Sequence, residues 1–574
     1  MITDLSFKIG GEAGQGLQAI GYILAKSFVR GGLYVFANQD NESRIRGGHN
    51  FFQVRASERP VQSISERIHV IVALDKTSIE EHNEELVEDG VIIFDGEKIK
   101  TESPIGNLLS IPLERLANET TGKRIMANSV AAGAALSLIK YDFNILKTVL
   151  DDAFKEKGME VVQQNIQAAK AGYDYVNQNP NTKFNYTFEK VTESSNRLLI
   201  NGNEVIASSA LISGCKFMSS YPMSPSTPIQ QYFASKMKDY SVIFEQAEDE
   251  IAAINMALGA SFVGVRSMAA TSGGGFSLMV EGVSLAGMTE TPIVIVVCQR
   301  PGPATGFPTR TEQAELEFII HAGHGEFPRA VFAPGNPEQA FYLTSKAFNV
   351  ADKYQIPVFI LSDQYFSDSY FTAERFDTSL ITVDRGDLFN EWNLQKQGEY
   401  RRHLITDSGI SPRLLPGASG GLVATDSDEH NQEGRITELA EVRIANVKKR
   451  LKRFELLKEN IDPPYLYGPA NAETVLVGWG STYGPLKEAT ETINTRGLKV
   501  RMLHFSEIWP FPDKPVIEEL KKAKKIVSVE SNATAQMAHL IRAETGIGVD
   551  AKILRFDGRP MTTGYILREF EKIR

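Results

Sequence analysis

Short apolar runs alternate with amphipathic stretches along most of the chain. The runs have the length of buried strands, and the stretches between them show helical periodicity or carry glycines and charges. Between residues 5 and 95 the runs are LSFKI, LYVFA, HVIVAL and VIIFD. This alternation predicts an α/β fold, in which helices connect the strands of a sheet.

The alternation is interrupted twice, which divides the chain into segments. Residues 176–196 are polar, rich in Asn and Thr and poor in aliphatic residues, so we predict a first α/β domain over residues 1–185. A second α/β domain, with SVIF, IVIVVC and IPVFIL as strands, is predicted over 195–376. We interpret 377–468 as a connector with a Gly- and Pro-rich loop and a charged helix. A third α/β domain, with TVLVGWG, LKVRMLHF, KKIVSVE and AKILRFD as strands, is predicted over 469–574.

Composition and charge narrow the class of protein. The 574 residues are 42% hydrophobic and 23% charged, as in an ordinary globular protein of several domains. A formal net charge of −10 argues against a chain that grips nucleic acid or anionic lipid. The N-terminus lacks the basic flank and apolar stretch of a signal peptide, and the apolar runs are far shorter than a membrane span. We therefore expect a cytoplasmic protein without nucleic-acid or membrane partners.

Cysteine and histidine usage bears on metal chemistry. Cys215 and Cys298 are the two cysteines, too few for a disulfide framework or for a four-cysteine iron–sulfur or zinc site. The histidines of HAGHG, residues 321–325, have no third ligand pattern beside them, so no metal site is predicted in this chain. Any iron–sulfur cluster must belong to a partner.

A glycine turn, IGGEAGQG, follows the first apolar run. It would place backbone N–H groups at the start of a helix, where they suit a phosphate. The candidate residues are Gly11, Gly14, Gln15 and Gly16. Their spacing misses the dinucleotide-binding pattern G-x-G-x-x-G, so a tight turn without a ligand is the alternative.

A basic loop, NESRIRGGHN, lies further along the same predicted domain. Its arginines Arg44 and Arg46 stand beside two glycines, a combination that suits a phosphorylated ligand. The alternative is a solvated turn whose arginines form surface ion pairs.

A proline-stiffened loop, YPMSPSTPI, opens with Tyr221 in the second predicted domain. Its three prolines fix the backbone while the loop presents the hydroxyls of Ser224, Ser226 and Thr227. Such a loop can hold a carboxylate, and a stiff loop without a ligand is the alternative.

A second proline-rich loop, QRPGPATGFPTRTEQAEL, follows the run IVIVVC and carries Arg300 and Arg310. Arg310 can bind a carboxylate through two parallel hydrogen bonds. The alternative is an exposed arginine in a crossover loop.

A helix is predicted for the stretch FEQAEDEIAAINMALGASFVG. Its apolar stripe consists of Ala247, Ile251, Ile254 and Leu258. At helical spacing Glu250 is the acid nearest the buried edge of this stripe, by a small margin over Glu248. A carboxyl group there is either a salt-bridged structural group or a proton-handling group with a raised pKa.

A second glycine turn, TSGGGFSLMVEG, follows a later apolar run and precedes an apolar helix. Its residues Gly273 and Gly274 are further candidates for contact with a cofactor.

Taken in order, these motifs resemble those of the 2-oxoacid:ferredoxin oxidoreductases, specifically the α subunit of the 2-oxoglutarate type, in which a γ-like domain is fused ahead of the α region. The resemblance covers nearly the whole chain. The first glycine turn and the basic loop look like the γ domain, and YPMSPSTP looks like the family's Y-P-I-T-P loop. Two residues depart from the pattern: Ala13 stands where the family often has glycine, and Ser224 where it has threonine.

The resemblance implies three α/β domains of known type and thiamine diphosphate chemistry. They are a γ-like domain, a pyrimidine-binding domain and a transketolase C-terminal-like domain. In the family a glutamate activates thiamine diphosphate, and Glu250 is the residue that matches, since it begins the pattern E-x-x-A-x-x-x-A-x-G; Glu248 is the second choice.

Further roles are implied residue by residue. The substrate-binding positions are Tyr221, Ser224, Ser226, Thr227 and Arg310. The cofactor-binding positions are Gly11, Gly14, Gln15, Gly16, Arg44, Arg46, Gly273 and Gly274, with the γ-like domain expected to hold the phosphates of coenzyme A.

The chain lacks the usual magnesium and diphosphate motif of thiamine enzymes, a GDG followed by NN, and it lacks a cysteine cluster. The resemblance therefore implies a β subunit that brings the diphosphate site, Mg²⁺ and a [4Fe–4S] cluster, in an (αβ)₂ assembly that reduces ferredoxin.

The implied function is the CoA-dependent oxidative decarboxylation of 2-oxoglutarate to succinyl-CoA and CO₂, reversible in the direction of CO₂ fixation. The alternatives are the same chemistry on pyruvate or branched 2-oxoacids, and a non-catalytic CoA- or nucleotide-binding regulatory subunit.

Overall fold

The computed structural model of the chain contains three β-sheets. It describes residues 3–42, 48–101, 107–179, 184–188, 196–389, 399–418 and 421–574. The elements up to residue 201 are β1 (Asp4–Glu12), α1 (Leu17–Arg30), β2 (Tyr34–Asn41), β3 (His49–Ser57), β4 (Ile68–Ala73), α2 (Lys76–His82), β5 (Leu86–Phe94), β6 (Asn107–Ser110), α3 (Leu113–Thr121), α4 (Ala127–Leu138), α5 (Phe143–Phe154), α6 (Met159–Gln178) and β7 (Leu198–Asn201).

The elements from residue 202 to residue 373 are α7 (Gly202–Ile212), β8 (Phe217–Ser220), α8 (Thr227–Ser235), α9 (Met237–Tyr240), β9 (Ile243–Gln246), α10 (Glu250–Phe262), β10 (Ser267–Thr271), α11 (Gly273–Thr289), β11 (Ile293–Gln299), α12 (Leu316–His321), β12 (Ala330–Phe332), α13 (Pro337–Tyr354), β13 (Pro357–Asp363), α14 (Gln364–Asp368) and β14 (Tyr370–Ala373). The later elements are α15 (Ala440–Lys458), β15 (Tyr465–Tyr467), β16 (Thr474–Trp479), α16 (Tyr483–Thr495), β17 (Val500–Phe505), β18 (Glu507–Trp509), α17 (Asp513–Leu520), β19 (Lys525–Glu530), α18 (Gln536–Thr545), β20 (Ala551–Leu554) and α19 (Thr563–Ile573). The predicted α/β class is confirmed.

The chain packs as two compact units. The first unit comprises Met1–Asn201, Asp368–Arg375 and Thr562–Arg568. The second unit comprises Gly202–Ser367, Phe376–Met561 and Glu569–Arg574. The polar boundary near residues 185–195 lies mostly outside the described residues, and the division into domains that we predict above stays a prediction.

The first unit is built on an eight-stranded sheet in the order β6-β5-β4-β1-β3-β2-β14-β7. Strand β1 runs parallel to β4 and antiparallel to β3, so the sheet is mixed. The apolar run LSFKI forms most of β1, where Leu5, Phe7 and Ile9 are fully buried. Helix α1 follows β1 directly and buries one face that includes Ile20, Leu24 and Phe28, which belong to the same core.

The second unit contains a seven-stranded sheet in the order β18-β12-β13-β11-β10-β8-β9. Strands β8 to β13 are parallel, and β18 pairs antiparallel with β12. Every residue of β11 is buried, as expected for a parallel strand covered on both faces. The chain order reverses at β8, because β9 lies on one side of it and β10 on the other. In open α/β sheets such a reversal leaves a crevice at the carboxyl ends of the strands, where ligands bind.

A five-stranded sheet completes the second unit, in the order β15-β17-β16-β19-β20. Its central strands are parallel, and β15 pairs antiparallel with β17. In the described part of the chain, no helix combines the length and the apolar character that crossing a membrane requires.

Helix α15 lies within the predicted connector, where a charged helix is expected, and it buries a cationic face. Lys449 Nζ donates to Glu290 Oε1 at 3.0 Å, and Arg453 Nη1 lies 3.4 Å from Glu290 Oε2. All three side chains are buried, and the two cations hold the pKa of Glu290 well below its ordinary value despite burial. Charge pairing therefore attaches this helix where an apolar stripe would ordinarily do so.

Candidate active site

The candidate site lies where β8, β9 and β10 end in the second unit. Ser220 is the last residue of β8, and its Oγ accepts a hydrogen bond from the backbone N–H of Ala270 at 2.9 Å. The backbone oxygen of Ser220 accepts from the N–H of Ala247 at 3.1 Å. These bonds tie the three strand ends together at the point where the chain order reverses.

Glu250 is a buried carboxyl group at this point. It is the first residue of α10, whose N-cap Asp249 accepts from the N–H of Ala252. Only 3% of Glu250 is exposed, and its Oε1 has no hydrogen-bond partner among the described residues. Burial, and after it the negative charge of Asp249, raises the pKa of this carboxyl. Glu250 therefore holds a proton more readily than an exposed glutamate does.

The other acid weighed for this role has a different environment. Glu248 is exposed in the turn before α10. The prediction that Ile251 belongs to the buried stripe is wrong, because 49% of its side chain is exposed. Helix α10 instead packs through a face that contains Glu250, Ala253, Ile254, Ala257, Leu258 and Ser261. Glu250 thus lies on the buried face itself and not at its edge.

The first turn of α11 faces this carboxyl group. A β-carbon at Gly275 would fall 2.5 Å from Glu250 Oε1, whereas one at Gly274 would meet nothing closer than 3.6 Å. The N-cap Ser272 makes no capping hydrogen bond, and its Oγ is buried without a partner in the described residues. Backbone N–H groups at a helix start have no acceptor within the helix and carry partial positive charge. Contact of Gly273 and Gly274 with a cofactor stays a prediction.

The loop between β8 and α8 is anchored on one side by an arginine. Arg300 Nη1 donates to the backbone oxygen of Ser224 at 2.8 Å. Asn203 Nδ2 donates to the oxygen of Pro225 at 3.1 Å. The loop therefore has a fixed position next to the strand ends, and Ser224 stays half-buried within it.

The remaining loop candidates have distinct environments. Ser226 is fully buried, and its hydroxyl donates to the oxygen of Met223 at 2.8 Å, so this group is used inside the loop. Tyr221 is 40% exposed, and Thr227 begins α8. Substrate contact by these residues stays a prediction.

Arg310 lies elsewhere along the loop that it shares with Arg300. A β-carbon at Gly558 would fall 3.2 Å from Arg310 Cβ, which places this arginine beside the segment that follows β20. The arginine that reaches Ser224 is thus Arg300, and the substrate role predicted for Arg310 stays a prediction.

Two further carboxyl groups near the strand ends are not among the candidate residues predicted from the sequence. Glu315 lies just before α12, and its N–H donates to Gln299 Oε1 at 3.0 Å. Asp363 ends β13, is fully buried and accepts from the N–H of Phe366 at 2.9 Å. Burial is the main cause that raises the pKa of Glu315 to about 8 and the pKa of Asp363 to about 6. The one available clue is the position of Glu315 directly before the apolar stretch LEFII.

The glycine turn of the first unit faces a separate cavity. Gly14 and Gly16 have φ angles of 92° and 80°, which L residues with side chains rarely adopt. Gln15 folds back so that its Oε1 accepts from the N–H of Glu12 at 2.9 Å, where it also fills the space beside Gly11. The cavity has a volume of about 430 Å³. Its polar lining includes Gln15, Asp95, Lys98, Glu114, Arg124 and Asn128. Arg44 and Arg46 lie outside the described residues.

Comparison with known proteins covers the chain almost from end to end. Residues 208–449 match the family model described as pyruvate flavodoxin/ferredoxin oxidoreductase, thiamine diP-bdg. Residues 6–175 match the model of pyruvate ferredoxin/flavodoxin oxidoreductase, and residues 472–563 match core domain II of pyruvate:ferredoxin oxidoreductase.

Individual relatives agree with these models. A 2-oxoacid:ferredoxin oxidoreductase subunit alpha from Sulfolobus sp. is 31% identical, over 97% of this chain and 95% of the relative. The 2-oxoglutarate oxidoreductase subunit KorA of Mycobacterium tuberculosis is 26% identical, over 96% of this chain and 88% of the relative. The solved structure of 2-oxoglutarate:ferredoxin oxidoreductase from Magnetococcus marinus, with 2-oxoglutarate, coenzyme A and succinyl-CoA bound, is 30% identical. It covers 99% of both chains with a TM-score of 0.92.

The fold and the matched models define an oxidoreductase with a thiamine-diphosphate-binding domain. Within that class, the chain belongs to the 2-oxoacid:ferredoxin oxidoreductase family as an alpha subunit. The residues present fit the cofactor, because Glu250 offers a buried carboxyl with an unpartnered oxygen, the group that a ring nitrogen of an aminopyrimidine requires.

Proposed function

We propose that the chain is the α subunit of a 2-oxoglutarate:ferredoxin oxidoreductase. The reaction converts 2-oxoglutarate and coenzyme A to succinyl-CoA, CO₂ and a proton, while two electrons pass to ferredoxin; the reverse reaction fixes CO₂. The observation that carries the catalytic part is the buried carboxyl of Glu250 at the sheet's reversal point, whose Oε1 has no hydrogen-bond partner among the described residues. The choice of 2-oxoglutarate is supported by the Mycobacterium tuberculosis and Magnetococcus marinus proteins, whose names specify that substrate.

Glu250 acts as a proton-holding group toward the cofactor. When bound, thiamine diphosphate supplies a carbon nucleophile for the ketone of the 2-oxoacid. The protonated carboxyl of Glu250 donates a hydrogen bond from its buried oxygen to a nitrogen of the pyrimidine ring. Burial raises the pKa of this carboxyl and so favours the protonated form, which can donate.

Arg300 is the cation that we assign to the carboxylate of the 2-oxoacid. Its Nη1 already holds the backbone of Ser224, so the guanidinium group has a fixed position at the substrate loop. The remaining N–H groups of a guanidinium can pair with a carboxylate. The partial positive charge at the start of α11 favours the same anion.

The cavity beside the glycine turn is the proposed place for the phosphates of coenzyme A. Arg124 supplies positive charge to its lining, where Lys98 pairs with Glu114 at 3.0 Å, and Gln15 and Asn128 supply amide groups. The Magnetococcus marinus protein binds coenzyme A, which supports a coenzyme A site in this chain.

A β subunit completes the proposed enzyme. Because this chain has two cysteines and no GDG motif, the partner contributes the [4Fe–4S] cluster, Mg²⁺ and the diphosphate site. We further propose an (αβ)₂ assembly in the cytoplasm.

The test is an assay of the complex. The chain is co-expressed with the β subunit, purified without oxygen with thiamine diphosphate and Mg²⁺, and assayed for CoA-dependent reduction of a viologen dye. Activity that is highest with 2-oxoglutarate supports the proposal. Higher activity with pyruvate or 2-oxoisovalerate overturns the substrate alone, and no activity in a cluster-loaded complex favours a non-catalytic CoA-binding role.

A further inference from the structure

A second carboxyl group, that of Glu315, lies against the first residue of α11. A β-carbon at Gly273 would fall 2.5 Å from Glu315 Oε1 and 2.8 Å from its Cδ. The carboxyl therefore occupies the space that a side chain at position 273 would need. Two residues further on, the carboxyl of Glu250 occupies the space that a side chain at position 275 would need. Two acids thus meet one helix N-terminus from different elements.

The polar atoms at this helix start lack partners. Glu315 Oε2, Glu250 Oε1 and Ser272 Oγ are all buried, and none has a hydrogen-bond partner within the part of the chain that the structure describes. Leaving such atoms unpaired costs free energy, and folded proteins satisfy nearly all of them. These three atoms are therefore candidates for hydrogen bonds with a bound ligand.

The charges that face Glu315 favour its neutral form. Its pKa is raised to about 8 by burial first and then by the carboxyl of Glu312. Asp363 raises it as well, and Arg300 opposes both. At neutral pH Glu315 therefore keeps a proton that it can donate. A neutral Glu315 also leaves the positive charge of Arg300 to an incoming anion.

We propose that Glu315 binds the substrate: its protonated carboxyl donates a hydrogen bond to a carboxylate or ketone oxygen of the 2-oxoacid, beside Arg300 and the start of α11. This inference rests on the proposed function, because it places the 2-oxoacid at this edge of the sheet. An ionised Glu315 would repel the anionic substrate, so binding weakens when the group loses its proton.

The test uses the αβ complex loaded with thiamine diphosphate and Mg²⁺. The variants are Glu315→Ala, which removes the donor, and Glu315→Gln, which keeps a donor that does not ionise. The control is Glu317→Gln, because Glu317 lies on the same segment as Glu315 but its side chain faces His539 of α18. Calorimetric titration with 2-hydroxyglutarate, which has both carboxylates but no ketone to react, measures substrate binding from pH 7 to pH 9. Cofactor affinity, KM and kcat are measured in parallel.

Because Glu315→Ala removes a hydrogen bond to a charged group, we expect it to weaken binding of the analogue about tenfold or more at pH 7 and to raise KM by a similar factor. Cofactor affinity and the Glu317→Gln control stay at the wild-type level. Because the pKa of Glu315 is about 8, the affinity of the wild type for the analogue falls by up to about tenfold between pH 7 and pH 9. The affinity of Glu315→Gln stays constant over this range.

Three results overturn the inference. The first is that Glu315→Ala binds the analogue as tightly as the wild type does. The second is that Glu315→Gln loses as much affinity for the analogue between pH 7 and pH 9 as the wild type does. The third is a loss of cofactor in Glu315→Ala as large as the loss of the analogue, which would indicate a structural role. A wild-type complex that binds no analogue and turns over no 2-oxoacid removes the proposed function, whereas an active wild type with unchanged variants removes only the role of Glu315.

Discussion

The carboxyl group of Glu250 lies directly against the α-carbon of Gly275. A β-carbon at that position would fall 2.5 Å from Glu250 Oε1 and 2.1 Å from Thr271 Oγ1. The start of α11 and the catalytic candidate on α10 are therefore packed so closely that position 275 has no room for a methyl group. The adjacent Gly274 has such room, since its nearest neighbour would be 3.6 Å away.

The two glycines form a matched pair for a stability test. Gly275→Ala should lower the free energy of unfolding by about 1–3 kcal/mol, because the added methyl group must displace Glu250 or Thr271. Gly274→Ala should leave it unchanged or raise it by up to about 1 kcal/mol, the usual gain of alanine over glycine in a helix. Melting temperatures of the two variants measure the difference. Equal shifts would show that the contact between Glu250 and Gly275 is absent.

Substitution of Glu250 and of Glu248 should affect turnover differently. Glu250→Gln in the αβ complex should lower kcat by about 10²–10⁴-fold, the usual contribution of a positioned acid–base group. Glu248→Gln should change kcat little, because that side chain is exposed. Viologen reduction with saturating 2-oxoacid measures both. A larger loss in Glu248→Gln than in Glu250→Gln would exchange the two assignments.

The two arginines of the loop after β11 can be separated by their KM values. Arg300→Lys should raise KM for the 2-oxoacid by about tenfold, because an ammonium group cannot hold Ser224 and pair with a carboxylate through a planar fork. Arg310→Lys tests the sequence-based assignment. A rise in KM with Arg310→Lys that exceeds the effect of Arg300→Lys would return the substrate carboxylate to Arg310.

The α/β fold could be predicted because each strand carries its own local signal. LSFKI and IVIVVC become β1 and β11, since apolar runs of that length are stable only when a sheet buries them. The position of α15 could not be predicted in the same way. Its buried residues Lys449 and Arg453 look like a solvated face until Glu290, more than a hundred residues earlier, is brought beside them.

For the candidate site too, the sequence does not reveal contacts between distant segments. A motif marks Glu250 in the sequence. The apolar stripe alone puts Ile251 on the wrong side, because it does not reveal which neighbours α10 packs against. Glu315 carries no motif that we recognised. Its importance follows from contact with Gly273, and only the fold brings these two segments together.

The ion pairs that attach α15 predict that neutralising the carboxylate of Glu290 strongly destabilises the folded chain. Glu290→Gln removes the negative charge from two buried cations, Lys449 and Arg453, and breaking a buried pair in this way typically costs about 3–5 kcal/mol. The melting temperature should fall clearly. Glu281→Gln, at an exposed position of α11, is the control and should have little effect. A melting temperature of Glu290→Gln equal to that of the control would contradict the role of this cluster.

His504 predicts how stability depends on pH. Its ring is fully buried in β17, and its Nε2–H donates to the backbone oxygen of Gly480 at 2.9 Å. Burial lowers the pKa of His504 to about 4, compared with about 6.5 in an unfolded chain. Between these two values the unfolded chain binds a proton that the folded chain does not bind. The stability from this group is therefore present above about pH 6.5 and is lost as the pH falls toward 4, by about 1.4 kcal/mol per pH unit.

A variant that keeps the hydrogen bond but cannot titrate isolates this effect. His504→Gln retains an N–H donor for Gly480, so its melting temperature relative to the wild type should rise steadily as the pH is lowered from 7 to 4.5. Other buried histidines affect both proteins equally and cancel in the comparison. His321→Gln, at an exposed position, should show a constant difference over the same range. A constant difference for His504→Gln as well would mean that His504 binds its proton equally in the folded and unfolded chains, which its burial argues against.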